Sequence, residues 1–475
     1  MRHKLQKFEE FVGTLLPHEV QYLLNIQQFQ DADNLEILRR IYRNCQPQAQ
    51  HEAFDTAVDK RKYSNLKRWI QTRLESIDVD RQLDWLMEQE RSILTDAITP
   101  EAEEALLAYL EQYQPPYFYF LKCYELARTY RQYLIVRLRH EDHQRVEAFL
   151  DRYRQTYEHT VAIQARLYDA TREITGQYAH GGFDTRNWEY LLRQLVFDAS
   201  LDGQTRYLAV IQLTMLCINY REFDKLREIY DYLEQQFLQG QGYSRRLLVN
   251  YYGNRLILHT KFGEWQEAAR CGYLSIRERN TEYLLYLTNL GAVLLRQGRK
   301  AEALALLQGG IPEMRRSNNF HNKAGFVAFY VKCLHDNGQA AHAERYAETF
   351  LRSYKDQILS QRWHIFFTVY LQALLRQEKY QKILSLCRSF KLPEREKEYR
   401  RRAAYMPAIS WYFRVSQYKE GRIGLEKLRS VVDQDMALVQ ESPHKRELVR
   451  ELLDELFHHV PQVFSQHKTR PAAAA

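Results

Sequence analysis

The chain has 475 residues, more than one compact core holds, so roughly three domains or one elongated array are expected. Its 45% hydrophobic and 27% charged residues exclude wholesale disorder, and 68 Lys+Arg interleaved with 60 Asp+Glu (net +8) describe a solvated helical surface before a polybasic one. Only 18 Gly and 11 Pro punctuate the sequence, which favours helices over hairpins.

In chain order, the spacing predicts short amphipathic helices at His3–Val12 and His18–Ile26, on either side of Pro17. Asp31 opens a helix carrying Leu35, Ile37, Leu38, Ile41 and Tyr42. After the polar break Gln46–His51, Lys60–Ile77 places Leu66, Trp69, Ile70 and Leu74 at helical spacing. Asp80–Ala97 continues with Leu83, Leu86 and Ile93. Thr99-Pro100-Glu101 is a helix start: threonine caps, proline suits the first position, and the acids suit the positive end of the dipole. That helix ends near Gln114, Pro115-Pro116 interrupts, and Tyr117–Arg139 restarts apolar on most sides, as a buried helix does. From Glu141 to Gln177 a stripe from Val146 to Tyr168 predicts one long helix, and His180–Asp184 marks the main boundary, with Asp184 as a cap.

Beyond Asp184 a helix–turn–helix rhythm sets in. Turns align at Arg221, Gly263, Gly298, Gly338, Glu378 and Ser416, spaced by 35 to 42 residues. An aromatic residue often follows two positions later (Phe223, Trp265, Tyr380, Tyr418). Within Thr281–Gly310, Leu287, Leu290 and Leu294 share one helical face, Gly298 breaks the pattern, and Ala303, Leu307 and Gly310 share the next. The small residues Gly291 and Ala303 suit close approach of the two helices. This stretch, through Leu290-Gly291, Leu294, Gly298, Ala303 and Leu307, resembles a tetratricopeptide repeat, with degenerate neighbours over roughly 184–430. The resemblance implies an all-α fold: a right-handed solenoid of helix hairpins at 184–430, after an N-terminal helical domain (1–180) and before a capping helix region (431–464). A disordered tail is expected at 465–475.

The same resemblance implies an inner groove that holds a peptide or partner helix. Polar or aromatic residues on first helices that fall off the core stripe are the groove candidates: Asn250, Asn254, Tyr283, Asn289, Lys323, Tyr330 and His364. The expected function is a non-catalytic interaction scaffold or adaptor. The alternatives are a regulator of an effector, or a nucleic-acid-binding protein using the basic run Lys391, Arg395, Lys397, Arg400, Arg401 and Arg402, interleaved with Tyr399 and Tyr405. The chain carries no phosphate-cradling Gly-rich loop, nucleophile elbow or HExxH, so no catalytic residue, metal or cofactor is nominated. His140-Glu141-Asp142-His143 reads as a helix start, and His335-Asp336 as a helix end. Six cysteines stand far apart without a CxxC and read as reduced packing residues, which predicts a cytoplasmic protein. The N-terminus lacks a continuous apolar leader and no run of about 18 apolar residues occurs, so neither a signal peptide nor a membrane span is expected.

Overall fold

The structure, a computed structural model, describes residues 5–47, 50–114, 117–180, 184–400, 405–439 and 443–468. Among these residues there are 25 α-helices, one 3-10 turn and no strand, so the chain is all-α. No helix among them is long and apolar enough to cross a membrane. The chain divides into two compact units, 1–278 and 279–475.

One turn recurs in both units. The first helix of a pair ends, the next residue but one or so takes a left-handed conformation, and the following N–H bonds back to a carbonyl five residues earlier. Left-handed residues stand at Arg221, Gly263, Gly298, Gly338 and Glu378, five of the six positions aligned from the sequence. The backward bonds are Glu222 N–H to Cys217 (2.9 Å), Glu264 to His259 (3.0 Å), Arg299 to Leu294 (2.9 Å), Gln339 to Leu334 (2.9 Å) and Lys379 to Leu374 (3.1 Å). The sixth turn corrects the sequence reading. Ser416 lies inside the helix Ala408–Lys419, buried and bonded to the Tyr412 carbonyl, and the left-handed residue is Gly421, with Arg422 bonding back to Gln417 (2.8 Å). The helix runs on because the β-carbon-free residue, free to take positive φ, comes five places later. The same turn closes helices ahead of residue 184, at Asp96 and Leu138.

In the first unit, the long helix His140–His180 forms as expected, and Asp184 accepts from the Arg186 N–H (3.1 Å) and the Tyr220 hydroxyl (2.8 Å). Pro115, Pro116 and Gly181–Phe183 lie outside the described residues. The helix Pro17–Ile26 packs on Asp224–Leu238 rather than standing apart. Its Glu19, 2% exposed, accepts from the Leu16 N–H (2.7 Å), the Tyr243 hydroxyl (2.6 Å) and Arg245 (3.3 Å). Its His18 meets the Tyr252 hydroxyl through Nδ1 at 2.6 Å. The N-terminal helices and the helices up to residue 278 thus belong to one compact unit, joined by these buried polar bonds.

In the second unit, Leu287, Leu290, Leu294, Ala303 and Leu307 are buried, and an added β-carbon at Gly291 would sit 3.3 Å from Leu307. The helix Pro443–Phe457 buries Leu452, Leu453 and Leu456; the side chain of Leu448 lies outside the described residues. A last helix, Pro461–Lys468, covers the start of the segment expected to be disordered.

Gly309 and Gly310 make a paired test. A β-carbon at Gly310 would lie 2.2 Å from Leu287 Cδ2 and 2.9 Å from Phe326, whereas one at Gly309 meets nothing within 4 Å. Gly310→Ala is expected to cost about 1–3 kcal/mol by overpacking. Gly309→Ala is expected to gain up to about 1 kcal/mol by lowering the entropy of the unfolded chain. Denaturant midpoints of the two variants check the opposite signs.

Candidate functional site

A large cleft of about 900 Å³ lies in the first unit. Its walls come from the helices Val79–Leu94, Pro100–Glu111, Gly203–Tyr220 and Asp224–Leu238, with the segments 117–118 and 239–242. Three backbone bonds seat these pieces together: Gln204 N–H to the Phe118 carbonyl (2.9 Å), Gly203 N–H to the Tyr117 carbonyl (3.4 Å) and Val79 N–H to the Tyr243 carbonyl (2.8 Å). Gly203 permits the first, since a β-carbon there would sit 2.4 Å from the Phe118 ring. Arg246 adds a fork to Asp80 (2.7 and 3.0 Å), and the Tyr119 hydroxyl donates to the same carboxylate (3.0 Å). Burial is the largest single influence on Asp80 and pulls it upward, but hydrogen bonds from Arg246, Ser244 and Tyr119 and the Arg246 charge together outweigh it and hold the carboxyl below its usual range.

One wall is aromatic. Trp85 lies 4.9 Å from Tyr109 between ring centroids, and Tyr109 stacks on Tyr117 at 5.7 Å with planes 17° apart. Gln82 donates to the Tyr109 hydroxyl (2.8 Å), and burial holds that phenol well above its ordinary range, hence neutral. On the facing wall Arg206 bonds the Val196 carbonyl (3.2 Å) and the Tyr232 hydroxyl. The lining charges are already engaged: Arg81 pairs with Glu75 at 3.0 Å, and Asp78 caps its helix through the Asp80 N–H (2.9 Å). What remains toward the cleft is ring surface and the amides Gln112, Gln236 and Gln241. That combination fits a neutral ligand with apolar faces and hydrogen-bonding groups.

The sequence-nominated residues fall elsewhere. Asn250 and Asn254 do not line the cleft, but Asn250 accepts from the hydroxyl of Tyr207, a wall residue (2.8 Å), and from Asn254 (2.9 Å). In the second unit Tyr283 and Asn289 are half-buried on the helix Tyr283–Arg296. Lys323 (8% exposed) and Tyr330 (3%) are largely covered. His364 is stacked on Tyr399 (4.3 Å) and lies 3.4 Å from the buried Glu396. That distance is ion-pair range without hydrogen-bond alignment, and burial holds the Glu396 carboxyl above its usual range. Of the basic run, Arg395 is spent on the Phe390 and Leu359 carbonyls and Arg400 on buried Asp435 (2.8 Å). Lys391 and Lys397 are exposed, and Arg401 and Arg402 lie outside the described residues.

Asp142 of the His140–His143 cluster is taken by Arg139 and Arg145. His335 bonds Asp336 (2.9 Å), which also pairs with Lys332 (3.2 Å). Among the described residues no group of three or more His, Cys, Asp or Glu has metal-binding geometry. No protein-family model matches the chain, nor does any curated protein or any solved structure.

Asp202, directly before Gly203, is 3% exposed and accepts from the Thr205 N–H at 2.7 Å. Burial pushes its carboxyl up to about 6 despite that bond. Between the ordinary carboxylate range and about 6, the folded state keeps a proton that the unfolded chain has released, so stability falls as pH rises through this window. Asp202→Asn keeps the cap and removes the titration. Its stability advantage over the parent is expected to grow by about 2–3 kcal/mol between pH 4 and pH 7. Urea titrations at the two pH values measure it.

Proposed function

We propose that this chain is a non-catalytic interaction scaffold, built as a tetratricopeptide-like α-solenoid, that captures an extended peptide. The observation that carries the reading is the aromatic cleft of the first unit, at about 900 Å³ near the upper end of the range of ligand pockets (roughly 300–1,000 Å³). Rings of Trp85, Tyr109 and Tyr117, fixed against one another, hold apolar or proline side chains at little entropic cost. Glutamine amides beside them match the alternating donors and acceptors of an extended backbone. Because the lining charges are internally paired, the favoured peptide is uncharged over the segment that enters. The recurring left-handed turn supports the solenoid reading, since it repeats one helix-pair geometry along the chain. The six cysteines are free thiols and all buried, which supports a reducing compartment such as the cytoplasm.

Selection of a random peptide library against the full chain tests this reading. Enrichment of uncharged sequences containing proline or aromatic residues is expected. Trp85→Ala and Tyr109→Ala, checked for native helicity by circular dichroism, are expected to weaken the selected peptides by about tenfold or more. Absence of enrichment, or unchanged affinity in both variants, contradicts it.

A further inference from the structure

A second concavity, about 490 Å³, lies within the second unit between the helices Ile311–Arg316 and Ala340–Gln361. Its charge is of one sign. Arg315, Arg345 and His342 line it, and no carboxylate does. Among the described residues neither guanidinium has an ion-pair or hydrogen-bond partner. The carboxylates close by in sequence are already taken: Glu313 pairs with Arg279 (3.1 Å) and Arg316 (3.6 Å), Glu344 with Lys379 and Lys382 (2.8 Å), and Glu348 with Arg352 (2.8 Å) and Lys382 (3.2 Å). Two exposed arginines facing one cleft without counter-charge repel each other, and an anion relieves this.

The rest of the lining is Met314, Thr349, Ser353 and three rings, Tyr346, Phe350 and Tyr354. The helix Ala340–Gln361 kinks at Tyr354 (φ −133°, ψ 28°). The Tyr354 ring lies 4.8 Å from Phe350 and 5.8 Å from Phe320, with the Lys323 ammonium 5.3 Å from its centroid. Tyr346 is braced edge-on by Tyr330 at 4.8 Å. Rigid rings beside unpaired guanidinium groups match a ligand with a flat aromatic part and a phosphate.

We infer that this cleft binds a nucleoside monophosphate, its phosphate taken by Arg315 and Arg345 and its base lying on the rings of Tyr346 and Tyr354. The site is separate from the peptide cleft and does not depend on that reading.

Calorimetric titration of the full chain with adenosine monophosphate, adenosine, inorganic phosphate and phosphotyrosine tests it. The monophosphate is expected to bind at least about tenfold more tightly than adenosine or inorganic phosphate, because each of those lacks one half of the recognition. Arg315→Ala and Arg345→Ala, at exposed positions, are each expected to weaken it about tenfold or more, as loss of a charge-assisted bond does. Tyr354→Ala is expected to remove the preference over inorganic phosphate. No heat at millimolar monophosphate would overturn the inference. So would equal binding of adenosine, equal binding of inorganic phosphate, tighter binding of phosphotyrosine, or full affinity in the Arg315→Ala/Arg345→Ala double variant.

Discussion

The seam between residues 78–119 and residues 202–246 is the constraint on which the first unit's binding surface depends. Three main-chain bonds cross it, from Gly203 to Tyr117, from Gln204 to Phe118 and from Val79 to Tyr243, and the Asp80–Arg246–Tyr119 cluster pins it. Main-chain bonds of this kind are insensitive to side-chain identity, so they fix the position of the backbone and leave the rings free to serve a ligand. The close contact of Phe118 with the backbone at Gly203 exists only because that residue has no side chain. Without this seam, Trp85 and Tyr109 on one side and Tyr207 and Tyr232 on the other would not face a common space.

Elsewhere in the first unit, buried polar chemistry fastens the helix Pro17–Ile26 to residues 243–245. Glu19 is almost fully enclosed, and burial raises its pKa even though Tyr243, Arg245 and the Leu16 N–H all stabilise the carboxylate. A carboxylate so placed is costly when any partner is missing, which makes the docked arrangement specific rather than merely favourable. Unsatisfied alternatives, with the helix Pro17–Ile26 seated elsewhere, would leave these groups without partners.

Much of the secondary structure was legible in the sequence because its signals are local. Gly263, Gly298 and Gly338 announce left-handed turns by composition, and Arg221 and Glu378 were found only by their spacing from them. Ser416 was misplaced because spacing alone cannot choose between neighbouring breaks; Gly421 carried the chemical signal. The cleft was not legible, since its walls come from two separate stretches of sequence, 75–118 and 196–242. Three of the seven residues nominated for a groove lie behind the two clefts: Asn250 supports Tyr207, Lys323 covers Tyr354 and Tyr330 braces Tyr346. Periodicity detects that a residue departs from the core pattern, but not whether it faces solvent or a neighbouring ring. The basic run shows the same limit: Arg395 and Arg400 look available in sequence, and the fold spends both on internal acceptors.

The account rests on one spatial claim, that the N-terminal helices and the first regular pairs together build the peptide site. Amide hydrogen exchange of the full chain, with and without a selected peptide, tests it most directly. Binding is predicted to slow exchange in 75–85, 105–112 and 232–242 together, since these segments share one cleft and only a common occupant protects all three. Protection confined to helices after residue 279, or to one of the three segments alone, would contradict it.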